Sequence, residues 1–530
     1  MRCKVFTFDF LVTCGTYPLD RSGILWDDYN MENNVSTERT PRISRNAAIR
    51  IIACAVLAIF WVVFLWNFWR KGVYALGFNA FIFLVLFLGL FVWVLRKEGH
   101  FGKNDLIWLI PFALIVLSFA LYDNPFLKIF SLMVLPAGFA IFYNQAFLPD
   151  KESKYWDIEY VFRIIGRFFS FLAQIGRSAA LYLNLIIPTG SAKKRIAARI
   201  IAGLILFVVI ALTVFIPLLS SADAVFAERM KGIYDWFKEI ISVPFMYKLL
   251  AGIVLSILFS SVLAAWSRPF DYGKKEKQDK PIDSIVAGIV LGGTLCLYAL
   301  FLWVQVKRLW VGDLPFDFKE TEHLVKSGFW QLLFLSVINI LIYFFAYRKT
   351  SPIVQKILAV FTAASLLLLV SAGYRMGLYV TYYGFSYEKF FAAYTVLYCA
   401  IVFVWLITRL FIAQRSNILK FLVVLFIWMY AAMAVLPVEQ FILRANVALS
   451  GLENSRIRLY ELTMLSPDVL SLVKRYEQQG HLKEKTGYLE REGKNKSEEA
   501  FDWTPWIERQ EKKVAEKVWY EKSLVNLVGK

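Results

Sequence analysis

The chain alternates between long apolar runs and short polar segments, and this alternation predicts membrane-spanning helices. A bilayer core of about 30 Å requires roughly 20 apolar residues in an α-helix. Eleven runs meet this requirement, so we expect an all-α fold, a polytopic transmembrane helix bundle of about 11 spans. The runs are Ile51–Trp69, Val73–Leu95, Leu106–Tyr122, Phe126–Leu148, Ile200–Leu219, Phe245–Trp266, Ile285–Val306, Phe329–Tyr347, Ile353–Gly373, Phe390–Ile412 and Ile418–Leu436.

Residues 158–188 have the pattern of an amphipathic helix rather than of a span. Polar side chains recur at helical spacing along one side, and apolar side chains occupy the other. The polar side carries Arg163, Arg167 and Arg177. We expect this helix to lie in the cytoplasmic interface, with its arginines beside anionic lipid. The alternative is a helix packed against the bundle.

Polar segments at the two ends divide the chain into three parts. Residues 1–46 are predicted to be a disordered cytoplasmic leader, and Met31 is an alternative start of translation. Residues 47–437 form the transmembrane domain. Residues 438–530 carry charges of both signs in nearly equal number, which predicts a solvated, helical C-terminal tail.

Two helices are expected in this tail. Ser466, Pro467 and Asp468 supply an N-cap, a proline at the first helical position and an acid in the first turn, so a helix should run from there to near Gly480. Thr504-Pro505 should open a second helix towards Val528.

Composition and charge support a membrane location. Hydrophobic residues make up 58% of the chain and charged residues 19%, whereas soluble domains carry about a quarter charged residues. The net charge of +18 comes mainly from lysines and arginines between the apolar runs, so we expect no nucleic-acid partner. With a cytoplasmic N-terminus, the basic segments Lys151–Arg199 and Arg268–Lys280 fall inside, and eleven spans leave the tail outside.

Familiar catalytic and metal-binding motifs are absent from the sequence. The three histidines are isolated, and no H-E-x-x-H, Walker-type phosphate loop or G-x-S-x-G elbow occurs. The five cysteines form no C-x-x-C pair and are expected to be small buried thiols. We therefore expect no catalytic residue, no metal and no cofactor.

The clearest polar intrusion follows the apolar run Leu366–Val370 and centres on Arg375, near the outer edge of the ninth predicted helix. If the helix persists, Tyr379 and Tyr382 continue the face that carries Arg375. A charge at membrane depth usually faces protein or a water-filled cavity. Arg375 therefore suits an anion, either a lipid phosphate or a carboxylate of the outer side.

Three acids are candidate carboxylate partners for Arg375: Asp223, Glu388 and Glu439. The alternative is an arginine that extends to the interface beside a belt of tyrosines, with no ligand.

Several motifs recur in a known family. The most specific is SAGYRMGLYVTYYGFSYEKF at Ser371–Phe390; the others are Ser220–Phe226, Ser267–Asp271, Gln305, Lys326–Leu333, Val438–Leu449 and Leu465–Leu470. Together they resemble a bacterial family of polytopic membrane proteins catalogued as a domain of unknown function, family 4173, and its relative, family 4153. The family has threonine and arginine where this chain has Ser386 and Lys389.

The resemblance implies a bacterial cytoplasmic (inner) membrane protein and brings no established activity. Its motifs and the polar intrusion together supply the candidate functional residues, which are Asp223, Gln305, Gly328, Arg375, Tyr379, Tyr382, Tyr383, Gly384 and Asn446.

Three kinds of function remain open. A transporter, or a protein that handles lipid or envelope components, is favoured by prolines inside spans and by the polar patch at Arg375. A membrane scaffold or sensor subunit is favoured by the basic interfacial helix and the outer tail. An intramembrane enzyme lacks a visible nucleophile–base or metal set. Membrane lipids are the expected partners, and the sequence indicates no particular protein partner.

Overall fold

A computed structural model of the chain describes residues 45–102, 105–147, 156, 158–186, 244–267, 282–309, 318–412, 417–452, 455, 457–482 and 502–528, with scattered positions between 200 and 228. All regular elements in these ranges are helices. The predicted leader lies outside the described residues up to position 44, as does most of the predicted span Ile200–Leu219.

Seventeen α-helices are described, and we number them in chain order. They are α1 (Arg45–Phe64), α2 (Phe68–Lys71), α3 (Phe78–Lys97), α4 (Leu106–Leu121), α5 (Pro125–Ala146), α6 (Ile158–Phe169), α7 (Ile175–Ile186), α8 (Pro244–Trp266), α9 (Ser284–Leu309), α10 (Phe318–Ala346), α11 (Pro352–Tyr383), α12 (Tyr387–Ile412), α13 (Ile418–Val435), α14 (Val438–Ser450), α15 (Leu470–Gln478), α16 (Thr504–Ala515) and α17 (Leu524–Val528).

Within the described residues, eight helices are long and apolar enough to cross a membrane. The segments Ala48–Phe64 and Phe68–Ala75, which meet at a bend of 54°, form a ninth candidate span. Leu106–Leu121 is apolar but shorter, with 16 residues. The prediction of a multi-pass helical membrane protein is confirmed, whereas the count of eleven spans is not.

The helices belong to two compact units. In the unit that includes Gln174–Ser261, the Tyr182 hydroxyl lies 2.5 Å from Ser256 Oγ and 2.9 Å from Ser260 Oγ. The Arg50 guanidinium also pairs with Glu98 at 2.7 Å in this unit. These contacts satisfy polar groups on otherwise apolar helices.

The other unit contains a core centred on α11, which packs against α9, α10 and α12. Leu358, Leu369 and Ala372 of α11 are fully buried there. A methyl group added at Gly373 would lie only 3.3 Å from Val396 Cγ1, so α11 and α12 approach closely at this point. This packing holds α11 in place along most of its length.

A neighbouring group of helices, α4, α5 and α13, packs in the same unit. The hydroxyls of Ser131 and Tyr430 lie 2.9 Å apart inside it, and the Tyr430 hydroxyl also donates to the Leu127 carbonyl at 3.2 Å. Outward positions elsewhere on the spans are apolar, as at Ile285 and Ile289 of α9, whose exposed fractions are 73% and 70%. Such exposed apolar surface suits lipid rather than water.

The described part of the C-terminal tail combines exposed residues with others that are buried against the rest of the chain. The helix predicted from Ser466 begins there with a 3₁₀ turn, Pro467–Val469, because Ser466 Oγ accepts a hydrogen bond from the Asp468 amide at 3.2 Å, and it continues as α15. The second begins at Thr504, but α16 ends at Ala515, and a 3₁₀ turn and the short α17 replace its predicted continuation. Trp506 is buried, and its indole N–H donates to the Thr463 carbonyl at 2.8 Å.

The predicted amphipathic helix is divided into α6 and α7 by a 3₁₀ turn, Ser170–Gln174. On α6, Phe162, Ile165 and Phe169 form one exposed apolar side. An exposed apolar side of this kind suits contact with lipid, whereas Ile164, on the apolar side that the sequence indicates, is buried in the protein.

Candidate functional site

Arg375 lies inside a helix rather than near its edge. The sequence predicts that the ninth span ends at Gly373, whereas α11 continues to Tyr383. At 1.5 Å per residue, Arg375 lies about 12 Å before the end of the helix. The predicted span ends at Gly373 because about 20 residues are enough to cross a bilayer. In the structure, α11 packs against neighbouring helices and continues through the polar residues that follow.

The Arg375 side chain is half-buried, and its Nε has no hydrogen-bond partner. No described acid forms an ion pair with it. Of the predicted partners, Glu439 accepts hydrogen bonds from Ser466 instead, Glu388 is exposed, and Asp223 is an exposed residue of the other compact unit.

Tyrosines continue the face that carries Arg375. The rings of Tyr379 and Tyr383 contact each other at a tilt of 45°, with centroids 5.0 Å apart. Lys389 Nζ lies 4.4 Å from the Tyr379 ring centroid and donates to the Tyr383 and Gly384 carbonyls at 3.2 and 2.8 Å. We call Arg375, Tyr379 and Tyr383 the Arg375 strip.

Two motif residues meet at the turn after α11. Gly384 has a φ of +73°, which residues with a side chain rarely adopt. The Asn446 side chain accepts from the Phe385 amide at 2.5 Å and donates to the Phe385 carbonyl at 2.8 Å. A methyl group at Gly384 would lie 2.6 Å from Asn446 Oδ1, so the turn has no room for one.

The remaining motif residues are not part of this turn. Gln305 lies in α9 and Gly328 in α10, and their side-chain surroundings are outside the described residues. Tyr382 is half-buried on α11.

The three interfacial arginines do not share one environment. Arg167 is buried in the protein, where its guanidinium donates to Asn144 Oδ1 at 2.7 Å and to the Trp266 carbonyl. It therefore contacts protein rather than lipid, which corrects the expected position. Arg163 pairs with Glu159 at 2.7 Å one turn away, and Arg177 is exposed.

A buried network of charged residues joins the tail to the start of α5. Asp123 accepts hydrogen bonds from Lys128 Nζ at 2.6 Å and from Lys517 Nζ. The Asp123 amide donates to both carboxylate oxygens of Asp468, at 2.8 and 2.7 Å. Lys128 also donates to the Leu76 carbonyl. All four charged side chains are buried, so each depends on the others for its partners.

A third acid adjoins this network. Glu439 accepts hydrogen bonds from the Ser466 amide at 3.1 Å and from the Ser466 hydroxyl. Burial, and then the charge of Asp468, raises the pKa of Glu439 well above its usual value. Burial, and then the charge of Asp123, raises the pKa of Asp468 to about 7.

The tail also contacts the turn between α1 and α3. The carboxylate of Glu521, which is fully buried, accepts from Asn67 Nδ2 at 2.6 Å and from Lys71 Nζ at 3.2 Å. A methyl group at Gly77 would lie 2.3 Å from the Glu521 carbonyl oxygen, so the two backbones are in close contact. The tail therefore lies at the same end of its unit as this turn.

Sequence reasoning missed this network, which we call the tail-docking network: Asp123, Lys128, Glu439, Asp468 and Lys517. The available signal was an acid directly after an apolar run at Asp123 and a lysine inside one at Lys128. In the described part of the chain, no group of three or more histidine, cysteine, aspartate or glutamate residues has the arrangement to hold a metal ion.

Comparison with known proteins gives a family without an activity. No curated protein and no solved structure matches the chain. A family described as a domain of unknown function, DUF4153, matches residues 109–476. This range contains α11, the turn at Gly384 and four of the five residues of the tail-docking network. The chain therefore belongs to the DUF4153 family of proteins of unknown function.

Proposed function

We propose that this protein binds an anionic group of an envelope component, a lipid phosphate in particular, at the Arg375 strip. The role would be transport or handling of lipid or envelope material in the cytoplasmic membrane of a bacterium. In this proposal the N-terminus is cytoplasmic and the tail lies outside.

The half-buried Arg375 carries the proposal. A charged side chain at membrane depth is costly and needs a counter-charge or water. None of the described acids supplies that counter-charge. Arginine presents a planar fork of donors that matches phosphate oxygens, and the adjacent Tyr379 ring can pack against such a ligand. Lys389, over the same ring, adds a second positive charge.

A lipid titration tests the proposal. The protein is reconstituted in phosphatidylcholine nanodiscs with increasing phosphatidylglycerol, and its melting temperature is measured. Because a ligand stabilises the state that binds it, phosphatidylglycerol should raise the melting temperature. A hydrogen bond to a charged group contributes about 1.5–3 kcal/mol, so Arg375→Ala should need about ten- to a hundredfold more phosphatidylglycerol for the same rise.

Arg375→Lys should fall between wild type and Arg375→Ala, because lysine keeps the charge and loses the fork. Arg444 is an exposed arginine of α14, and Arg444→Ala is the matched control that should follow the wild type. If all four proteins give the same curve, Arg375 is only an interfacial anchor.

A membrane scaffold or sensor subunit is the second candidate, and the tail-docking network favours it. Buried acids with raised pKa values make the docking of the tail responsive to protons. At the cytoplasmic face, we further propose that α6 and α7 contact anionic lipid through Arg163 and Arg177, without Arg167.

A further inference from the structure

A buried arginine lies at the opposite end of α12 from the Arg375 strip. Arg409, in the last turn of α12, has an exposed fraction of 6%. Its Nε and Nη1 atoms have no hydrogen-bond partner. No ion pair in the described part of the chain includes it. Buried N–H donors are nearly always satisfied, so these two point to a missing acceptor.

The surroundings of Arg409 are aromatic and basic. Its guanidinium lies 4.2 Å from the Tyr347 ring centroid and 5.3 Å from that of Trp405. The Arg348 guanidinium also lies over the Tyr347 ring, at 5.3 Å. Two positive charges therefore adjoin one ring, an arrangement that favours an anion between or beside them.

The aromatic walls of this site are held in place. Tyr347 stacks on Tyr343 with centroids 5.3 Å apart, and the Tyr343 hydroxyl donates to the Leu406 carbonyl at 2.9 Å. The rings of Trp405 and Phe421 stack with their centroids 3.9 Å apart. Side chains fixed in this way preorganise a binding site.

The backbone at Arg348 is unusual as well. Its φ of +59° is the one positive value among described residues other than glycine. Non-glycine residues held in this conformation cluster at functional sites. It brings a second arginine to the ring of Tyr347, the residue that precedes it.

Capping of α10 does not explain Arg409. The Ala346 carbonyl at the end of α10 accepts hydrogen bonds from Gln355 Nε2 at 3.0 Å and from Thr350 Oγ1 at 3.2 Å. The N–H groups of Arg409 therefore do not cap α10.

We infer that Arg409 and Arg348 form a phosphate-binding site at the inner end of α10 and α12, separate from the Arg375 strip. The ligand is a phosphate group, carried by an anionic lipid or by a small soluble molecule. Arginine binds such a group through charge-assisted hydrogen bonds from its guanidinium, and the Nε and Nη1 atoms of Arg409 are both without a partner.

Binding measurements on the full chain distinguish the two sources. The protein is placed in phosphatidylcholine nanodiscs, and inorganic phosphate is titrated by calorimetry. In a second arm, phosphatidylglycerol replaces part of the phosphatidylcholine, and bound lipid is counted by native mass spectrometry. We expect one of these two probes to occupy the site in the wild type.

Arg409→Gln should weaken binding of that probe at least tenfold, and Arg409→Lys several-fold because it loses the fork. Arg444→Ala, at an exposed arginine of α14 that belongs to neither proposed site, should keep wild-type binding of the probe. If Arg409→Gln does not fold, Arg409→Lys decides with the same readout. Equal binding in wild type and the Arg409 variants, or no binding of either probe, would overturn the inference.

Discussion

Gly384 shows how one residue sets the geometry at the end of the Arg375 strip. Its positive φ lets the chain turn from α11 into α12, and Asn446 holds the turn from the distant α14. The sequence indicates both residues through their motifs. Their contact could not be predicted, because nothing in local spacing shows that α14 returns to this turn.

Gly384→Ala should destabilise the protein by about 1–3 kcal/mol, because alanine is strained at this φ and overlaps Asn446. The melting temperature in detergent measures the effect. Gly377 lies on the same helix, with open space where a methyl group would go. Gly377→Ala should therefore leave the melting temperature unchanged or raise it. An equal loss in the two variants would show that the turn does not require glycine.

At the scale of elements, the apolar pattern predicts helices well and their partners poorly. Ten of the eleven predicted runs coincide with described helices, because long apolar runs favour helices that can lie in a membrane, although Leu106–Leu121 has only 16 residues. The role of Arg167 was not predictable, since its acceptor, Asn144, is a polar residue of another helix. The docking of the tail depends on similar long-range contacts.

Tail docking should weaken as the pH rises. The pKa of Asp468 in the folded protein is about 7, and that of Glu439 is also raised, whereas unfolded acids titrate near pH 4. Their contribution to stability is therefore present in full below about pH 4 and is lost as the pH rises through 7. We expect the melting temperature, measured at intervals of about half a pH unit, to fall between pH 5.5 and pH 8.

The double variant Asp468→Asn/Glu439→Gln should flatten this dependence, because neither replacement titrates. Asp502 is an exposed acid of the same tail whose pKa is lowered by hydrogen bonds from Thr504. Asp502→Asn should therefore keep the wild-type slope across this range. A slope that survives in the double variant would assign the titration to other groups.

At the scale of the whole molecule, the contact between the tail and the turn after α1 bears on topology. Segments that pack together at one end of a unit lie on the same side of the membrane, so the number of crossings between them is even. With the crossing made by α1 added, the total number of spans would be odd, as in the prediction of eleven. An odd number of spans would place the start of α1 and the tail on opposite sides of the membrane. The count itself depends on the residues between α7 and α8.

Reporter fusions test this arrangement. We expect fusions after Lys97, Lys194 and Lys275 to be cytoplasmic and those after Asp223 and Glu499 to be exported, because basic loops are retained inside. Each position is fused to an enzyme that is active only in the periplasm and, separately, to one that is active only in the cytoplasm. The two activities show on which side the position lies. A cytoplasmic Glu499 fusion would exclude eleven spans.

The tail-docking network also has a consequence for the order of biosynthesis. Asp123 and Lys128 leave the ribosome before most of the described spans, whereas Lys517 and Glu521 are translated only after α13. Until then, Asp123 lacks one of its two lysines, and Gly77 lacks the backbone that covers it. The nascent chain must therefore insert the helices up to α13 with this end unfinished, and residues made after α13 complete a structure that the segment between α1 and α3 began.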